Sequence, residues 1–322
     1  MLPLSVLCLS FLALTGCDSI KDRFGGAKTA FDGKQALEYV KPQLAFGPRV
    51  PGTPAHEKEA DWIIAQMKQR TDSVIVQSWT QTTADGTKLP MRNIIARFNP
   101  KATQRVLYLT HWDTRPHADQ DPNFGARAGS FPGANDGASG VAMFIALADA
   151  FKKTPPSVGV DLLFDDGEDW GSFDPDSTGK FYPDAFFGTQ YFAKHLPSPD
   201  YKPLYGVLFD MIGDKDLQIY EEQISVDNAP EVVSRVWQTA SDLGYSKYFI
   251  PEVKGGVTDD HVPLLNAGLR VIDVIDIDYC AHGIGCEQGS PENYHHTTQD
   301  TFDKLSAHSL QVVGDVALTL VK

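Results

Sequence analysis

Short runs of β-forming residues alternate with helix-like stretches along most of this chain, and that alternation restricts the folds open to it. The run RVLYLT at 105–110 leads into a loop, then a helix-like stretch at 138–152, then the run VDLLF. Two strands joined by a helix in this way form a βαβ crossover, so they run parallel in one sheet. The sequence therefore predicts an α/β protein with a mostly parallel, mixed central sheet.

The other elements follow from apolar periods of about two and about 3.6 residues. Helix-like stretches occur at 33–45, 55–70, 138–152, 229–243 and 305–320. Further β-rich runs are SVIVQSW, NIIARF, YGVLFDMI and RVIDVIDI. No repeat or linker divides residues 31–322, which we expect to form one catalytic domain, a single-domain α/β/α sandwich. Loops as long as those at 111–137, 169–187 and 277–297 are usually functional.

Composition excludes several classes of function. Of 322 residues, 42% are hydrophobic, which is enough for a sizeable core, and 42 acidic residues outnumber 28 basic ones. The formal charge of −14 repels phosphate backbones and anionic lipid head groups, so we expect no nucleic-acid partner. Beyond the N-terminus, no stretch approaches the roughly 20 apolar residues that a membrane-spanning helix needs.

The first 16 residues, MLPLSVLCLSFLALTG, are almost wholly apolar and predict a secretory signal peptide. Leu14-Thr15-Gly16-Cys17 resembles a bacterial lipobox, in which the cysteine is acylated. We therefore expect residues 17–30 to form a lipidated tether. The protein would be an exported lipoprotein that faces the periplasm or the cell exterior and touches the membrane through its lipid only. An uncleaved signal anchor is the alternative.

Once Cys17 is lipidated and the signal peptide is removed, Cys280 and Cys286 are the cysteines left in the mature chain. They lie in the segment CAHGIGC, and an oxidising compartment favours a local disulfide between them. A metal site that adds His282 to the two thiols is the alternative. Two thiolates and one imidazole make a weak zinc signature.

Histidines and carboxylates gather directly after the β-rich runs. Parallel strands bring such residues to one edge of a sheet, where α/β proteins bind their ligands. Imidazole and carboxylate ligands without thiolate are what Zn²⁺ takes when it keeps a position open for substrate. The residues are His111, Asp113, Asp136, Glu168, Asp169, Asp210, Asp259 and His296.

Competing chemistries lack their motifs. There is no G-x-S-x-G elbow, P-loop or G-x-G-x-x-G fingerprint, which disfavours a serine hydrolase, an NTPase and a dinucleotide enzyme. The segment HEKEA at 56–60 begins like a zincin motif but lacks the second histidine one helical turn later. We expect His56, His195 and His308, on or beside predicted helices, to lie at the surface.

The ordered set HWD, GANDGASG, DGED, LFDMIG, TDDH and HHT resembles the zinc aminopeptidase superfamily. Within it, the chain looks most like the animal-type glutaminyl cyclases and their bacterial relatives, over roughly residues 35–320. The resemblance implies the same α/β/α fold. It also implies that one zinc ion is held by Asp136, Asp169 and His296.

A glutaminyl cyclase converts the N-terminal glutamine of a peptide or protein to pyroglutamate and releases ammonia. The resemblance implies that Glu168 transfers the proton, and that Asp210 and Asp259 form a hydrogen-bonded carboxylate pair beside the substrate. This reaction must exclude water. Trp112 and Trp170 flank the implied metal ligands, and we expect them to wall a small, dry pocket.

The aminopeptidase branch uses the same positions for two zinc ions and hydrolyses the first peptide bond. Asp136 bridges the two ions there, and the other positions complete them in pairs: His111 with Asp210, and Asp169 with His296. All five residues are present in this chain, so one zinc ion is expected and two are possible.

Two pocket positions depart from the animal cyclases. His295 stands where they carry tryptophan, and Asp273 stands where they carry a pocket histidine. Both departures concern the substrate pocket and leave the metal set intact. In the aminopeptidase branch, Asp113 is implied to orient His111.

Two further features favour the cyclase over the aminopeptidase. The motif TDDH has the paired aspartates of the cyclase pattern, and Asp169 replaces the commoner second glutamate, as in bacterial cyclase-like sequences. A third interpretation is a lipoprotein of this fold that binds peptides without turning them over. That interpretation predicts the loss of Glu168 or of a ligand, and neither is lost.

Overall fold

The computed structural model describes residues 29–71, 73–171, 184–277 and 293–322. The strands in these ranges are β1 (Val74–Thr82), β2 (Lys88–Phe98), β3 (Arg105–His111), β4 (Gly159–Asp165), β5 (Gly206–Asp210), β6 (Ile219–Glu222), β7 (Phe249–Lys254) and β8 (Val271–Ile275). Six of them form a sheet in the order β1-β2-β4-β3-β5-β8, and β6 pairs with β7 in a small parallel sheet. Strands β4, β3, β5 and β8 run parallel, whereas β1 pairs with β2 and β2 with β4 in antiparallel fashion.

The helices of the described ranges are α1 (Gly33–Phe46), α2 (Pro54–Lys68), α3 (Ala138–Lys153), α4 (Phe187–Lys194), α5 (Gln223–Asn228), α6 (Pro230–Asp242), α7 (His261–Asn266) and α8 (Ala307–Thr319). A short 3-10 helix, Phe302–Lys304, precedes α8. Within the part of the chain that the structure describes, none of the helices has the length and apolar character to cross a membrane.

The large sheet is covered on both faces, so its parallel strands are apolar and buried at nearly every position. Alternate residues of a strand point to opposite faces. In β3, Val106 and Tyr108 enter the larger core, which also contains residues of α1, α2, α3, α6 and α8. Leu107 and Leu109 enter the smaller core, which contains residues of α4 and α7. The result is three layers, with helices on each side of the sheet.

Helix α3 connects β3 to β4 and brings the Gly-rich turn to the edge of the sheet. It begins after Gly137, whose φ of 85° lies in the left-handed region that glycine tolerates. A Cβ atom on Gly137 would lie 2.6 Å from the carbonyl oxygen of Asp113. The turn therefore requires glycine, and this close approach sets Asp136 beside the end of β3.

The predicted α/β/α fold with a mostly parallel, mixed sheet is confirmed, as are the βαβ crossover and the predicted helices and strands. The largest shift of an element end is in β2, which begins at Lys88 rather than at residue 93. Helices α4, α5 and α7 are not predicted because each is too short to show a helical period, and strands β6 and β7 are not predicted because they lack the apolar run of the buried strands. Residues 1–28, with the predicted signal peptide and most of the tether, lie outside the described residues.

Candidate metal centre and active site

The carboxyl ends of the parallel strands meet at one edge of the sheet, and predicted site residues follow them. Strand β3 ends at His111 and β5 at Asp210, while Glu168 and Asp169 lie just beyond β4. A cavity of about 460 Å³ lies at this edge. Its lining residues are Asp136, Glu168, Asp210, Met211, Gly256, Val257, Thr258, Asp259, Ile275, Ile277, Asn293, His295 and His296.

His296 lies close to the two aspartates that are predicted to share a metal with it. Its Nε2 atom lies 3.5 Å from Asp136 Oδ2 and 3.4 Å from Asp169 Oδ1. The Oδ2 atoms of both aspartates are buried and have no hydrogen-bond partner among the described residues. Buried carboxylate oxygens are rarely left unpaired, and an imidazole with two carboxylates fits a zinc ion. These three residues could therefore hold one.

His295 joins Asp136 and His296 in a tighter group, although the sequence predicts His295 only as a pocket residue. One ligand atom from each of the three lies within 4.8 Å of the others. Desolvation, reinforced by His296, lowers the pKa of His295 to about 3, so its ring is neutral at physiological pH. A neutral imidazole is the form that binds a metal. Asp169 falls outside this tighter group and accepts a hydrogen bond from Arg115 Nη1 at 3.1 Å.

A second group of possible ligands joins His111, Asp136 and Asp210. His111 Nε2 lies 3.0 Å from Asp210 Oδ1 and 3.1 Å from Asp136 Oδ1. Burial works to lower the pKa of His111, but Asp210, Asp113 and Asp136 outweigh it and raise that pKa well above its usual value. Asp136 thus directs its Oδ1 atom toward His111 and its Oδ2 atom toward His296.

Asp113 links His111, at the end of β3, to the turn after β4. Its Oδ1 lies 3.6 Å from His111 Nδ1, which is an ion-pair distance. Its two oxygens accept hydrogen bonds from the backbone N–H groups of Glu168 and Asp169, at 3.2 and 3.3 Å. These contacts fix the turn that carries Glu168 and Asp169 relative to the end of β3.

Besides the possible ligands Asp136 and Asp210, two more acidic residues line the cavity: Glu168 and Asp259. Burial raises the pKa of Glu168 well above its usual value, and Asp169 adds to the effect. Burial and Asp210 do the same for the pKa of Asp259. A raised pKa lets a carboxyl group hold a proton that an ordinary carboxylate would lose, which suits it to act as a general acid or base.

Two residues of the site have left-handed backbone conformations that are uncommon outside glycine. Met211, in the cavity lining, has a φ of 50°, and His296 has a φ of 51°. Conformations of this kind cost free energy and cluster at functional sites, where the surrounding structure holds them.

Residues 93–321 of the chain match the model of peptidase family M28. The chain belongs to peptidase family M28. The match runs from β2 through α8 and includes every residue of the two groups of possible metal ligands. The resemblance to the zinc aminopeptidase superfamily is therefore confirmed, and the solved relatives include both zinc exopeptidases and bacterial glutaminyl cyclases.

Three solved structures show how far the M28 likeness extends. A Zn-dependent exopeptidase from Parabacteroides distasonis is 36% identical, with a TM-score of 0.83, over 92% of this chain and 100% of that chain. A Bacteroides thetaiotaomicron glutaminyl cyclase is 33% identical, with a TM-score of 0.83, over 90% of this chain and 97% of that one. A Porphyromonas gingivalis glutaminyl cyclase is 38% identical, with a TM-score of 0.80, over 90% of this chain and 98% of that one.

The first curated relatives are matched over a smaller share of their length. The chain is 24% identical to aminopeptidase YwaD of Bacillus subtilis over 92% of its own length. It spans 57% of that protein and 39% of another curated relative, the alkaline phosphatase isozyme conversion protein of Escherichia coli.

The two tryptophans that were expected to wall the pocket do not line the cavity of the described residues. Trp112 lies in the large core and is fully buried, with its ring stacked on that of His56 at 4.3 Å. Trp170 packs against a small cluster of Leu89, Met91 and Phe187. Adjacency in sequence to the possible metal ligands therefore does not place a tryptophan in the pocket.

Asp273 lies outside the cavity lining, and His56 lies elsewhere than expected. Asp273 is fully buried on β8 and is absent from the cavity lining. Burial and the nearby carboxyl groups of Asp259 and Asp210 raise its pKa well above the usual value. His56 was expected at the surface, but it is 1% exposed and its Nε2 lies 2.7 Å from Asp166 Oδ1.

Asp300 is a site residue that the sequence analysis missed. Its carboxylate accepts hydrogen bonds from the backbone N–H groups of Asn135 and Asp136, at 2.8 and 3.1 Å. It thereby holds the turn that carries Asp136. No motif marks Asp300, because its partners are about 165 positions away in the chain.

Cys17, Cys280 and Cys286 lie outside the described residues. Their predicted lipidation and disulfide stay predictions, and so does the choice between the disulfide and a Cys/His metal site.

Proposed function

We propose that this M28 protein is a zinc-dependent glutaminyl-peptide cyclotransferase that converts N-terminal glutamine to pyroglutamate. The observation that carries the proposal is the convergence of Glu168, Asp210 and Asp259 on one cavity, beside the group of Asp136 and His296. The likeness to two bacterial glutaminyl cyclases, at 33% and 38% identity over 90% of the chain, supports it.

In this reaction the α-amino nitrogen of glutamine bonds to the carbon of its own side-chain amide, and the bond from that carbon to the amide nitrogen breaks. Glu168 takes the proton that the amine loses and returns it to the departing nitrogen, which leaves as ammonia. The raised pKa of Glu168 suits it to both halves of this transfer. A zinc ion held by Asp136, Asp169 and His296 would polarise the side-chain carbonyl group.

The rest of the cavity suits a reaction that must proceed without water. Asp210 and Asp259 offer carboxyl oxygens that can hold the α-amine for attack, which lowers the entropic part of the barrier. Water that reached the carbonyl carbon would instead hydrolyse glutamine to glutamate. Apolar side chains in the lining reduce its access: Met211, Val257, Ile275 and Ile277.

A metal-dependent aminopeptidase is the second candidate, and the group of His111, Asp136 and Asp210 favours it. If both groups hold a cation, the protein carries two zinc ions rather than the one that we propose. Glu168 would then take a proton from a water molecule that attacks the first peptide bond. The likeness to a Zn-dependent exopeptidase supports this candidate.

Mass spectrometry separates the two functions. The zinc-loaded protein is incubated with one peptide that begins with Gln and one that begins with Leu. We expect the Gln peptide to lose one ammonia and the Leu peptide to stay intact. Release of the terminal Leu would replace the cyclase with the aminopeptidase. Glu168→Gln, which keeps the side-chain volume but cannot carry the proton, should leave both peptides unchanged.

We also propose that the substrates are the N-termini of peptides or proteins, and that the protein meets them outside the cytoplasm as a lipoprotein. The support for export is the apolar segment 1–16 and the lipobox-like sequence that ends at Cys17. Mass spectrometry of the protein from its native membrane should find an acylated Cys17 at the N-terminus. A chain that retains residues 1–16 would contradict this.

A further inference from the structure

His296 presents its two ring nitrogens to different carboxylates. Nε2 faces Asp136 and Asp169, at 3.5 and 3.4 Å. Nδ1 faces Asp119, whose Oδ1 lies 3.3 Å away. Among the described residues, Asp119 belongs to neither group of possible metal ligands, and it is absent from the cavity lining. Its carboxylate is therefore placed to act on the imidazole rather than on a cation or a substrate.

Arg115 holds Asp119 in that position. Its Nε and Nη2 atoms donate to Asp119 Oδ2 at 3.0 and 2.8 Å, and its Nη1 atom donates to Asp169 Oδ1 at 3.1 Å. The side chain of Arg115 is 7% exposed. Because a guanidinium group is planar and rigid, this one residue sets the spacing between Asp119 and Asp169.

The loop that carries Asp119 is also anchored through its backbone. Ala118 N–H donates to the carbonyl oxygen of Gly129 at 2.7 Å, and Gln120 N–H donates to that of His296 at 3.3 Å. The Asp121 carboxylate accepts from Thr298 N–H at 2.9 Å. These contacts do not use the side chain of Asp119, so its replacement should leave the loop against the His296 turn.

We propose that Asp119, held by Arg115, is a positioning residue that sets the tautomer of His296 and thereby the zinc affinity of the site. A carboxylate at Nδ1 favours the proton there, which leaves the lone pair of Nε2 directed toward Asp136 and Asp169. Gln120 Nε2 lies 3.4 Å from the same Nδ1. Charge makes the carboxylate the stronger partner.

The proposal concerns the metal site that the M28 fold implies, and it holds whether the enzyme is a cyclase or an aminopeptidase. Competition with a chromophoric chelator measures zinc affinity on the metal-free full chain. We expect Asp119→Asn to weaken zinc binding by roughly 10- to 100-fold, the effect typical of removing a carboxylate behind a ligand histidine. Asp119→Glu, which keeps the charge, should fall between the wild type and Asp119→Asn. Asp200→Asn, at an exposed position, should bind zinc like the wild type.

A structural defect would also weaken zinc binding, so the tautomer is measured directly. Nitrogen-15 NMR of the imidazoles should show His296 protonated at Nδ1 in the wild type, and shifted toward Nε2–H in Asp119→Asn. Thermal unfolding of the metal-free variants checks that they are folded.

An unchanged tautomer in Asp119→Asn, or a zinc affinity within about twofold of the wild type, would overturn the role of Asp119. A wild-type chain that binds no zinc would overturn it together with the metal site. Asp119-dependent zinc binding in a protein that converts neither test peptide would support the positioning role while contradicting the proposed function.

Discussion

Single carboxyl groups in the site differ in pKa because each has different neighbours. Burial works to raise the pKa of Asp136, but His111 and His296 hold it below its usual range. Burial raises the pKa of Asp169 to about 7, and that of Glu168 well above its usual value. Environments that separate the pKa values of neighbouring acids assign them different roles. Asp136 is suited to remain an anion beside a cation, and Glu168 to carry a proton.

Replacing Glu168 tests whether its carboxyl group carries the proton. We expect Glu168→Gln to lower kcat by roughly 10²- to 10⁴-fold, because a positioned proton carrier contributes about that factor. Zinc content should not change, since Glu168 belongs to neither group of possible ligands. Steady-state kinetics and metal analysis of the same preparation check both outcomes. Full turnover by the variant would remove Glu168 from the mechanism.

His56 and Asp166 form a buried ion pair close to the turn that carries Glu168. Asp166 also accepts a hydrogen bond from Arg92 N–H at 2.6 Å, and both side chains of the pair are at most 1% exposed. We expect His56→Ala to lower the free energy of unfolding by about 3–5 kcal/mol, because it leaves a buried charge without its partner. Urea unfolding measures this. His195→Ala, at an exposed histidine that stacks on Tyr191, is the matched control and should cost no more than about 1 kcal/mol.

At the scale of elements, Glu222 joins strand β6, helix α5 and one wall of the cavity. Its carboxylate caps α5 by accepting from Ile224 N–H and Ser225 N–H, at 2.7 and 2.6 Å. It also accepts from Val257 N–H at 2.9 Å, and Val257 lines the cavity. Burial opposes ionisation, but His261, Ser225 and these N–H groups outweigh it and lower the pKa of Glu222 to about 2.

The depressed pKa of Glu222 implies a pH-dependent contribution to stability. Because the folded pKa lies below the unfolded value of about 4.5, the ionised group stabilises the fold above pH 4.5, and that contribution is lost as the pH falls toward 2. We expect Glu222→Gln to lower the free energy of unfolding by about 1–3 kcal/mol at pH 7. Urea unfolding at several pH values should show that the difference in free energy of unfolding between the wild type and Glu222→Gln narrows below pH 4.5. An equal difference at pH 7 and pH 3 would contradict the stabilising role of the ionised Glu222 carboxylate.

At the scale of the whole molecule, the site joins segments that are far apart in the chain. His111 ends β3, Asp136 precedes α3, Asp169 follows β4 and His296 lies in the segment before α8. A cation held by these residues would cross-link the central strands β3 and β4 to the segments that precede α3 and α8. Its binding to the folded state alone would then stabilise the entire domain.

Removal of the metal should therefore destabilise the protein globally. We expect a chelator to lower Tm, and zinc at about 100 times its Kd to raise the free energy of unfolding by about 2.7 kcal/mol. Thermal unfolding with and without zinc measures the difference. His296→Ala should lose this response, and a Tm that zinc raises equally in that variant would exclude His296 as a ligand.

The amino-acid sequence by itself determined the fold class, the long helices and strands, and which side chains gather at the carboxyl edge of the sheet. Each of these rests on local information: an apolar period of about 3.6 or about two residues identifies a helix or a strand, and parallel strands must end at a common edge. His111, Asp136, Asp169, Asp210 and His296 follow from that reasoning and from the ordered motifs that carry them.

Only the tertiary structure decided how these residues are partnered. It placed His295 with Asp136 and His296, and it moved Trp112 from the expected pocket wall into the core. It also set Asp119 behind His296 and Asp300 behind Asp136. Most of these contacts join positions that are more than a hundred residues apart in the chain. Burial and pKa depend on how those distant segments pack. No local period or spacing encodes that packing, so the sequence indicates candidate ligands while the fold determines their neighbours.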